Sequence, residues 1–450
     1  MSFNTPKHWK WQTFESLLSE PLRNGIYKKK EFHGSGAKIV NMGELFKYPR
    51  LKEGVDMKRV ELTEKELIKA TLKQGDLIFA RRSLTAEGAG KCSIILAIDE
   101  PTTFESSIIR ARLNSQVAVP EFYYYLFNSP FGKWLLGTIL RQVAVSGITG
   151  SDLARLNVPV PPIEEQQEII KCFGNIDDKI ETNCHINQSL ENIAQAIFKS
   201  WFADFEPVKA KIAAREAIIA EYQEQSGKAP SPQEVAEVET QAAIVAIAGA
   251  GDIIPTEKLH TLADLFPNQL VESELGQIPE GWELKKVEEI VTRLKPKQRF
   301  TKKQVEPHGN VPVYEQGAGI LLGYQNGEAG FKATPESPIF IFGDHTCVTH
   351  LSCEPFDISS NVIPLKGCDF PTIWVFQAIK DLQKFQEYRR HWSEFIIKQV
   401  FTPSFELAEF YSDLATTLAK QKEANVAENS TLIQIRDVIL PQLLSGNLKL

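Results

Sequence analysis

An internal repeat constrains the fold of this chain more than any other feature of its sequence. Residues Pro6–Lys10 (PKHWK) resemble Pro279–Glu283 (PEGWE), and Val158 matches Val400 at a shift of 242 positions. An amphipathic stretch follows each first motif, with its apolar positions at Phe14 and Leu17 in one copy and at Val287 and Ile290 in the other. The repeat predicts pseudo-two-fold internal symmetry, with two similar modules suited to two patches of one extended partner. A duplicated enzyme would repeat in the same way, but the long helices that end each half argue against it.

Each half ends in a predicted long helix with the periodicity of a coiled coil. Apolar residues and asparagines alternate at steps of three and four, which is the spacing of a helix-pairing seam. The predicted helix-pairing residues are Ile176, Ile180, Asn183, Asn187, Leu190, Ile197, Leu418, Asn425, Asn429, Leu432 and Ile439. Two asparagines on each seam favour a role in fixing register and partner, with solvent-facing positions as the alternative. A continuous helix over residues 163–205 would span about 64 Å, and Pro441 should kink or end the second helix.

The two globules are predicted to be α/β. The predicted strands share short apolar or β-branched runs: Leu77–Ala80, Ser93–Ile98, Ser107–Arg112, Ile339–Phe342 and Asn361–Leu365. Predicted helices begin at Pro120 and run over Thr372–Trp392. The run Tyr123–Tyr125 favours core packing over base stacking, because it lies at helical spacing. Residues 206–278 have no counterpart in the repeat. They predict a helical hairpin, Lys209–Gln225 and Val235–Ala248, with a capping box at Ser231–Glu234.

Charge is distributed unevenly along the chain. Residues 1–157 hold 23 Lys and Arg against 16 Asp and Glu, whereas residues 158–281 hold 8 against 21. Residues 282–402 are nearly neutral, with 15 against 14. A basic globule on an acidic scaffold is typical of a nucleic-acid-binding protein that also binds protein partners.

Other classes of protein are disfavoured by what the sequence lacks. It has no apolar run of about 18 residues, as a membrane span needs, and no apolar signal-peptide core at its N-terminus. The six cysteines are scattered without a C-x-x-C, which is typical of a reduced, cytoplasmic protein. Cys347, His350 and Cys353 match no common zinc spacing, so we interpret them as unligated and expect no metal site.

Few motifs point to catalysis. Gly88–Cys92 (GAGKC) resembles a phosphate loop, but its first glycine is missing and Cys92 stands at the Ser/Thr position, so we interpret it as a turn between strands. No amino-methyltransferase motif (Asn/Asp-Pro-Pro-Tyr) is present. Asp344, His345 and Thr346 are residue types that a catalytic set uses, but a polar loop after a strand suits DNA contact equally well.

Several motifs carry a family resemblance that covers essentially the whole chain. Val158–Gln167 (VPVPPIEEQQ), Ile176–Ile180 (IDDKI) and Phe198–Phe202 (FKSWF) resemble the specificity subunits of type I restriction-modification systems. So do Glu274–Trp282 (ELGQIPEGW) and Ile435–Gly446 (IRDVILPQLLSG), although the second globule and helix depart more from the pattern.

The resemblance implies two target-recognition domains that each bind half of a split DNA sequence. They would be residues 1–157 and 282–402. Residues 158–281 would form the central conserved helix with the helical insertion and a linker, and residues 403–450 the C-terminal conserved helix. The two helices would pair antiparallel and bind two modification subunits. S-adenosylmethionine, ATP and Mg²⁺ would act on the modification and restriction subunits, and this chain would bind no cofactor and catalyse nothing.

Candidate contacts to double-stranded DNA follow from side-chain chemistry. Lys and Arg bind phosphates, while Arg, Gln and Asn read base edges. The candidates are Lys28, Lys29, Lys30, Lys38, Arg81, Arg82, Lys295, Lys297, Arg299, Lys302, Lys303, Gln316, His345 and Thr346. The sequence leaves two other functions as alternatives, a single-chain DNA methyltransferase and a coiled-coil adaptor that binds only protein.

Overall fold

A computed structural model describes residues 5–83, 85, 88–141, 146–248, 254–317 and 319–448. Contacts within the chain define two compact units: Met1–Glu181 with Glu428–Leu450, and Thr182–Ala427. Each unit combines a β-rich part with portions of two long helices, so the α/β prediction is confirmed.

The first unit is built around a five-stranded sheet and a three-stranded sheet. Its strands are β1 (Lys10–Thr13), β2 (Leu18–Asn24), β3 (His33–Val40), β4 (Arg50–Leu51), β5 (Arg59–Val60), β6 (Leu77–Ala80), β7 (Arg82–Ser83), β8 (Cys92–Ile95), β9 (Thr102–Phe104), β10 (Ile108–Leu113), β11 (Ser146–Gly147) and β12 (Asn157–Val160). Its helices are α1 (Met42–Lys47), α2 (Glu64–Ala70), α3 (Pro120–Asn128), α4 (Pro130–Gly137) and α5 (Gly150–Arg155), with short 3₁₀ turns at Phe14–Leu17 and Lys30–Phe32. The sheet orders are β2-β10-β6-β8-β4 and β5-β3-β9.

The aromatic helix α3 forms the centre of the first core. Residues Phe122–Phe127 are all buried, and Tyr123 lies against Phe14 with the ring centroids 6.2 Å apart. Burial raises the pKa of Tyr123 far above its usual value. The prediction that this tyrosine run packs in the core is therefore confirmed.

The first long helix, α6 (Ile163–Phe198), belongs to both units and is shorter than predicted. Its 36 residues span about 54 Å at 1.5 Å per residue. A π-helical turn, Lys199–Ala203, follows, and Phe205 takes a left-handed conformation at φ 56°. Helical conformation therefore continues to Ala203, two residues short of the span 163–205 considered from the sequence, and Trp201, Phe202 and Phe205 are buried in the core of the second unit.

The second unit continues with a helical hairpin and then a mixed β-rich domain. Its helices are α7 (Glu206–Ser226), α8 (Pro232–Ala248), α9 (Thr256–Asp264), α10 (Val287–Ile290), α11 (Thr372–Ile379) and α12 (Trp392–Ile396). Its strands are β13 (Leu270–Ser273), β14 (Gly276–Pro279), β15 (Glu283–Lys286), β16 (Val291–Arg293), β17 (Val311–Tyr314), β18 (Leu321–Gln325), β19 (Ile339–Gly343), β20 (Thr349–Ser352), β21 (Asp357–Ile358), β22 (Val362–Gly367) and β23 (Gln399–Thr402), and a 3₁₀ turn covers Lys302–Gln304. The main sheet orders are β16-β22-β19-β20 and β18-β17-β21. The predicted capping box is present, since Ser231 N–H donates to Glu234 Oε2 at 2.8 Å and Glu234 N–H donates to Ser231 Oγ at 3.3 Å.

The predicted helix Thr372–Trp392 is wrong beyond Ile379. There α11 ends, and residues 380–391 form an irregular loop before α12. The backbone N–H of His391 donates to the Asp344 carbonyl at 2.8 Å, and that of Trp392 donates to the Asp344 carboxylate at 3.0 Å. These donors are therefore not available for a continuous helix, and the tertiary contact overrides the local helical pattern.

The last helix, α13 (Phe405–Leu444), continues through Pro441 for three residues. Leu440, Leu443 and Leu444 are buried in the core of the first unit, so packing stabilises the turn around the proline. The helix therefore does not end at Pro441, and the alternative, a kink at this residue, stays a prediction.

The repeated motifs build the same local arrangement in both units. In the first, β1 pairs antiparallel with β12, and the buried residues Phe14 and Leu17 follow β1. In the second, β15 pairs antiparallel with β23, and the buried residues Val287 and Ile290 follow β15. In each unit a long helix begins three residues after the closing strand, at Ile163 or at Phe405.

Candidate nucleic-acid interface

The lysines predicted to contact DNA in the first unit differ in whether a carboxylate of the same chain already binds them. Lys28 Nζ lies 2.7 Å from Glu66 Oε2, and this contact, followed by the backbone N–H of Thr63, lowers the pKa of Glu66 to about 2. Lys29 and Lys30 are exposed just before and within the 3₁₀ turn Lys30–Phe32. The structure leaves these two side chains accessible to a phosphate.

Lys38 is placed differently from the other candidates. It is only 9% exposed, and its Nζ lies 3.1 Å from both Asp99 and Glu100. These carboxylates, with Glu100 as the larger cause, raise the pKa of Lys38. The side chain joins β3 to the segment before β9, and a DNA contact would have to compete with two carboxylates.

Arg81 and Arg82 lie where β6 passes into β7. Arg82 is exposed, and its strand pairs with β11 through Gly147. Arg81 is half-buried, with Nη1 at 3.4 Å from the Ser106 carbonyl. The sequence Gly88–Cys92 forms a turn that leads into β8, as predicted.

The five basic candidates of the second unit lie on one segment, where four are exposed lysines and the fifth is an arginine held by the backbone. Lys295, Lys297, Lys302 and Lys303 are exposed along the segment between β16 and β17. Arg299, on the same segment, is anchored, because its Nη1 donates to the carbonyls of Ser359 at 2.7 Å and Val362 at 2.9 Å.

Gln316, His345 and Thr346 are brought together by the turn between β19 and β20. The Gln316 side-chain oxygen accepts from the His345 N–H at 2.9 Å, and its carbonyl accepts from Thr346 Oγ1 at 2.7 Å. Gly343 permits this approach, because a Cβ at that position would lie 2.8 Å from the Gln316 Cβ. The sequence predicted these three residues separately, and the structure makes them one polar cluster.

The loop between α11 and α12 supplies residues that the sequence analysis missed. Tyr388 is 72% exposed, and its ring lies 4.8 Å from the His345 ring, centroid to centroid. Phe385 is exposed as well, and Lys384, Arg389 and Arg390 give the loop a mixed basic and aromatic character. The interleaving of aromatic and basic residues was visible in the sequence, but it was interpreted as part of a helix.

In the second unit, α6 and α13 pack antiparallel through polar contacts. Asn425 Nδ2 donates to Asn187 Oδ1 at 2.8 Å, and both residues are buried. Lys422 forms an ion pair with Glu191, and Tyr411 donates to the Ala194 carbonyl at 3.0 Å. The asparagines therefore do not face solvent here.

In the first unit, the same two helices surround a buried carboxylate. Asp177 accepts from Arg436 Nη1 at 3.0 Å and from the Tyr125 hydroxyl at 2.8 Å, while Asn429 Nδ2 donates to the Ile180 carbonyl at 3.4 Å. Because Tyr125 belongs to α3, Asp177 joins both helices to the core of the first β-rich part.

Two further findings concern metal sites and membrane-spanning helices. Within the described ranges, no group of three or more His, Cys, Asp or Glu residues is arranged to hold a metal ion. His350 instead packs against Tyr314, with the ring centroids 4.7 Å apart. Among the helices of the described residues, none is both long and apolar enough to cross a membrane.

Comparison with known proteins gives a consistent result. The model of the family "Type I restriction modification DNA specificity domain" matches residues 18–192. The HindI specificity subunit of Haemophilus influenzae is 26% identical over 420 residues, covering 84% of this chain and 88% of that protein. The EcoKI specificity subunit of Escherichia coli is 31% identical over 207 residues, covering 44% and 43%. A crystal structure of a type I S subunit from M. genitalium aligns over 99% of this chain and 98% of that chain, at 14% identity and a TM-score of 0.48.

The match of residues 18–192 to a DNA specificity domain, together with the specificity subunits among the relatives, identifies a DNA-recognition protein. The chain belongs to the specificity subunits of type I restriction-modification systems. As such a subunit, it recognises the DNA target and is the non-catalytic part of the system.

Proposed function

We propose that residues 1–157 and 282–402 are two recognition domains, each of which binds one half of a bipartite DNA target. The observation that carries this proposal is the repeated arrangement of a closing strand pair followed by a long helix. Each strand pair closes one β-rich part, so the chain presents two independent surfaces. Exposed lysines supply sequence-independent attraction to phosphates, and polar clusters such as Gln316 with His345 supply groups for base edges.

We further propose that α6 and α13 bind two modification subunits and set the distance between the two half-sites. In the first unit, α13 exposes the apolar residues Ile433, Ile435 and Val438, the last with 59% of its surface accessible. Exposed apolar side chains on one helix are suited to a protein partner. Restriction subunits join the same assembly in the cytoplasm. S-adenosylmethionine, ATP and Mg²⁺ act on the partner subunits, and this chain binds none of them.

A domain exchange tests the division of labour. Residues 282–402 would be replaced by the equivalent domain of a related subunit, so that β15 and β23 travel together and their ladder stays intact. We expect methylation mapping of exposed DNA to show a new sequence in one half of the target and the original sequence in the other. An exchange of the hairpin 206–248 serves as the control and should change neither half.

Two outcomes of the exchange would contradict the proposal. A change in both halves would mean that the domains do not read independently, and a change in neither would place recognition elsewhere. The purified chain also tests whether methyl transfer belongs to the modification subunits. The chain alone should transfer no methyl group from S-adenosylmethionine, and activity should appear when modification subunits are added.

A further inference from the structure

A pocket of about 530 Å³ lies in the second unit beside the start of β22. Its walls come from β16, the segment before β17, the turn before β22 and the start of α12. We call it the arginine pocket, after the residues that give it its character: Arg293, Arg299, Arg390, Asp344, Asn361 and Trp392. Only Arg299 was among the residues predicted to contact DNA.

Arg299 is held in place by the backbone and keeps donors for a ligand. Its Nη1 donates to two carbonyls, at 2.7 Å to Ser359 and 2.9 Å to Val362. A guanidinium carries five N–H donors in a fixed fork. Since Arg299 forms no other hydrogen bond to a described residue, its Nε and Nη2 donors remain available.

Arg293 is held by an aromatic ring. Its guanidinium carbon lies 5.6 Å from the centroid of the Trp392 ring, and the residue forms no ion pair within the part of the chain that the structure describes. Stacking on a ring face leaves the in-plane N–H groups of an arginine free to bind an anion. Arg293 and Arg299 line the same pocket, and burial, followed by repulsion from Arg293, lowers the pKa of Arg299.

The pocket carries more positive charge than its own residues neutralise. Asp344 is the one carboxylate among the described residues that line it. Its Oδ1 accepts from the Trp392 N–H at 3.0 Å, and its Oδ2 lies 3.8 Å from Arg390 Nε. Asp344 is thus bound to the Trp392 N–H and lies close to Arg390, so an external anion beside Arg293 and Arg299 would relieve the repulsion between these two cations.

The surroundings of the pocket favour a phosphate that belongs to a duplex. The rim is open, because Arg390 is 78% exposed and Asn361 is also exposed. Asp344, which lines the pocket, is followed in the chain by His345 of the polar cluster. Arg293 covers a face of Trp392 on which a nucleobase would otherwise stack. Arginine forks match the geometry of phosphate oxygens.

We propose that the arginine pocket binds one backbone phosphate of the target DNA through Arg293 and Arg299, and thereby fixes the register of the second recognition domain without reading a base. The inference rests on the proposed function, in which this domain binds one half of the target. A contact of this kind adds to affinity and positions the base-reading residues next to it.

The test uses the full chain assembled with its modification subunits. The target is first mapped from methylated DNA, and a duplex that contains it is then titrated at several salt concentrations. Arg293→Gln is the main variant, because the Arg293 side chain forms no hydrogen bond to a described residue and contacts the protein through the Trp392 ring. Arg299→Gln is the second variant, and Lys332→Gln is the control, since Lys332 is an exposed cation outside the pocket, paired with Glu328.

We expect Arg293→Gln to weaken binding roughly tenfold and to reduce the slope of log K against log salt by about 0.9. The preference for the target over a duplex with a mismatched second half should not change. One methylphosphonate, which removes the charge of a single phosphate, should weaken the unmodified complex at one position and have no additional effect on the Arg293→Gln complex. Lys332→Gln should change neither the affinity nor the slope.

Three results would overturn the inference. An unchanged affinity and slope in both arginine variants would show that the pocket does not touch DNA. A loss of base preference without a change of slope would make it a base reader. If a methylphosphonate weakened the Arg293→Gln complex as much as the unmodified complex at every position, Arg293 would not contact any of these phosphates. If the unmodified complex ignores mismatches in the second half, the proposed function itself fails, which is a separate result.

Discussion

Lengthening both long helices by one heptad should increase the number of base pairs between the two half-sites. Seven residues would be inserted after Leu190 in α6 and seven after Glu423 in α13. The matched position follows from the structure, because Asn187 lies opposite Asn425 and Glu191 opposite Lys422. Both contacts survive, and a full heptad keeps the seam facing the partner helix.

The size of the effect follows from helix geometry. Seven residues at 1.5 Å each lengthen the pair by about 10 Å, which equals about three base pairs at 3.4 Å per step. Tilt of the helices against the DNA reduces this value. Each added base pair also turns the second half-site by about 35° around the duplex. We therefore expect a gain of about one to three base pairs with both half-site sequences unchanged.

Methylation mapping of DNA exposed to the assembled variant measures the spacer directly. A heptad inserted only in α6 should abolish activity, because the Asn187–Asn425 hydrogen bond and the Lys422–Glu191 ion pair can then no longer form in the same register. A heptad inserted at Gly227, in the exposed connection between α7 and α8, should leave the spacer unchanged. Full activity of the doubly lengthened variant on the original spacer would refute the reasoning, since the helices would then not set the distance.

Three further predictions concern single sites. Asn425→Leu should lower the free energy of unfolding by about 1–3 kcal/mol, because it leaves the buried Asn187 amide without its partner; the double change to Leu should recover most of this in urea denaturation, and equal losses in the single and double variants would contradict the idea. Burial, with Lys422 as a smaller cause, lowers the pKa of His350 to about 4. The unfolded chain binds this proton first as the pH falls below about 6.5, so stability should decline between pH 6.5 and 4 by at most about 3 kcal/mol. A pH profile of urea unfolding that His350→Phe leaves unchanged would refute this. Gly343→Ala should slow methylation of the mapped target, because its Cβ would lie 2.8 Å from the Gln316 Cβ and displace that side chain; an unchanged rate would show that Gln316 has room to move.

The sequence predicted those strands and helices that depend on residues next to each other in the chain. The strand Leu77–Ala80 has the predicted bounds because an uninterrupted apolar run suits a strand buried on both faces. The helix Pro120–Asn128 begins at the predicted proline, whose fixed φ and missing N–H suit the first helical position. The strand predicted over Ser93–Ile98 instead covers Cys92–Ile95, a shift of the kind that boundaries commonly show.

The remaining features depend on contacts between residues far apart in the chain. Asp344 takes the backbone donors of His391 and Trp392, and this contact ends a helical pattern that is locally sound. Lys38 looked like a surface cation, but two carboxylates from a segment 61 residues away hold it in the fold. The arginine pocket joins Arg293 to Arg390 across almost a hundred positions, so neither residue stood out from the sequence.

The two shifts of the repeat support the proposal that the two β-rich parts can be exchanged as units. The opening strands and the buried turns after them repeat at 273 positions, as from Phe14 to Val287, whereas the closing strands repeat at 242, as from Val158 to Val400. The 31-residue difference therefore lies wholly between each opening strand and its closing strand. Because β1 pairs with β12 and β15 with β23, the first and last strands of each β-rich part are adjacent, whatever the length between them. Insertions inside such a closed pair do not disturb the backbone hydrogen bonds that anchor it, so sequence and length can change there while the start of each long helix stays fixed.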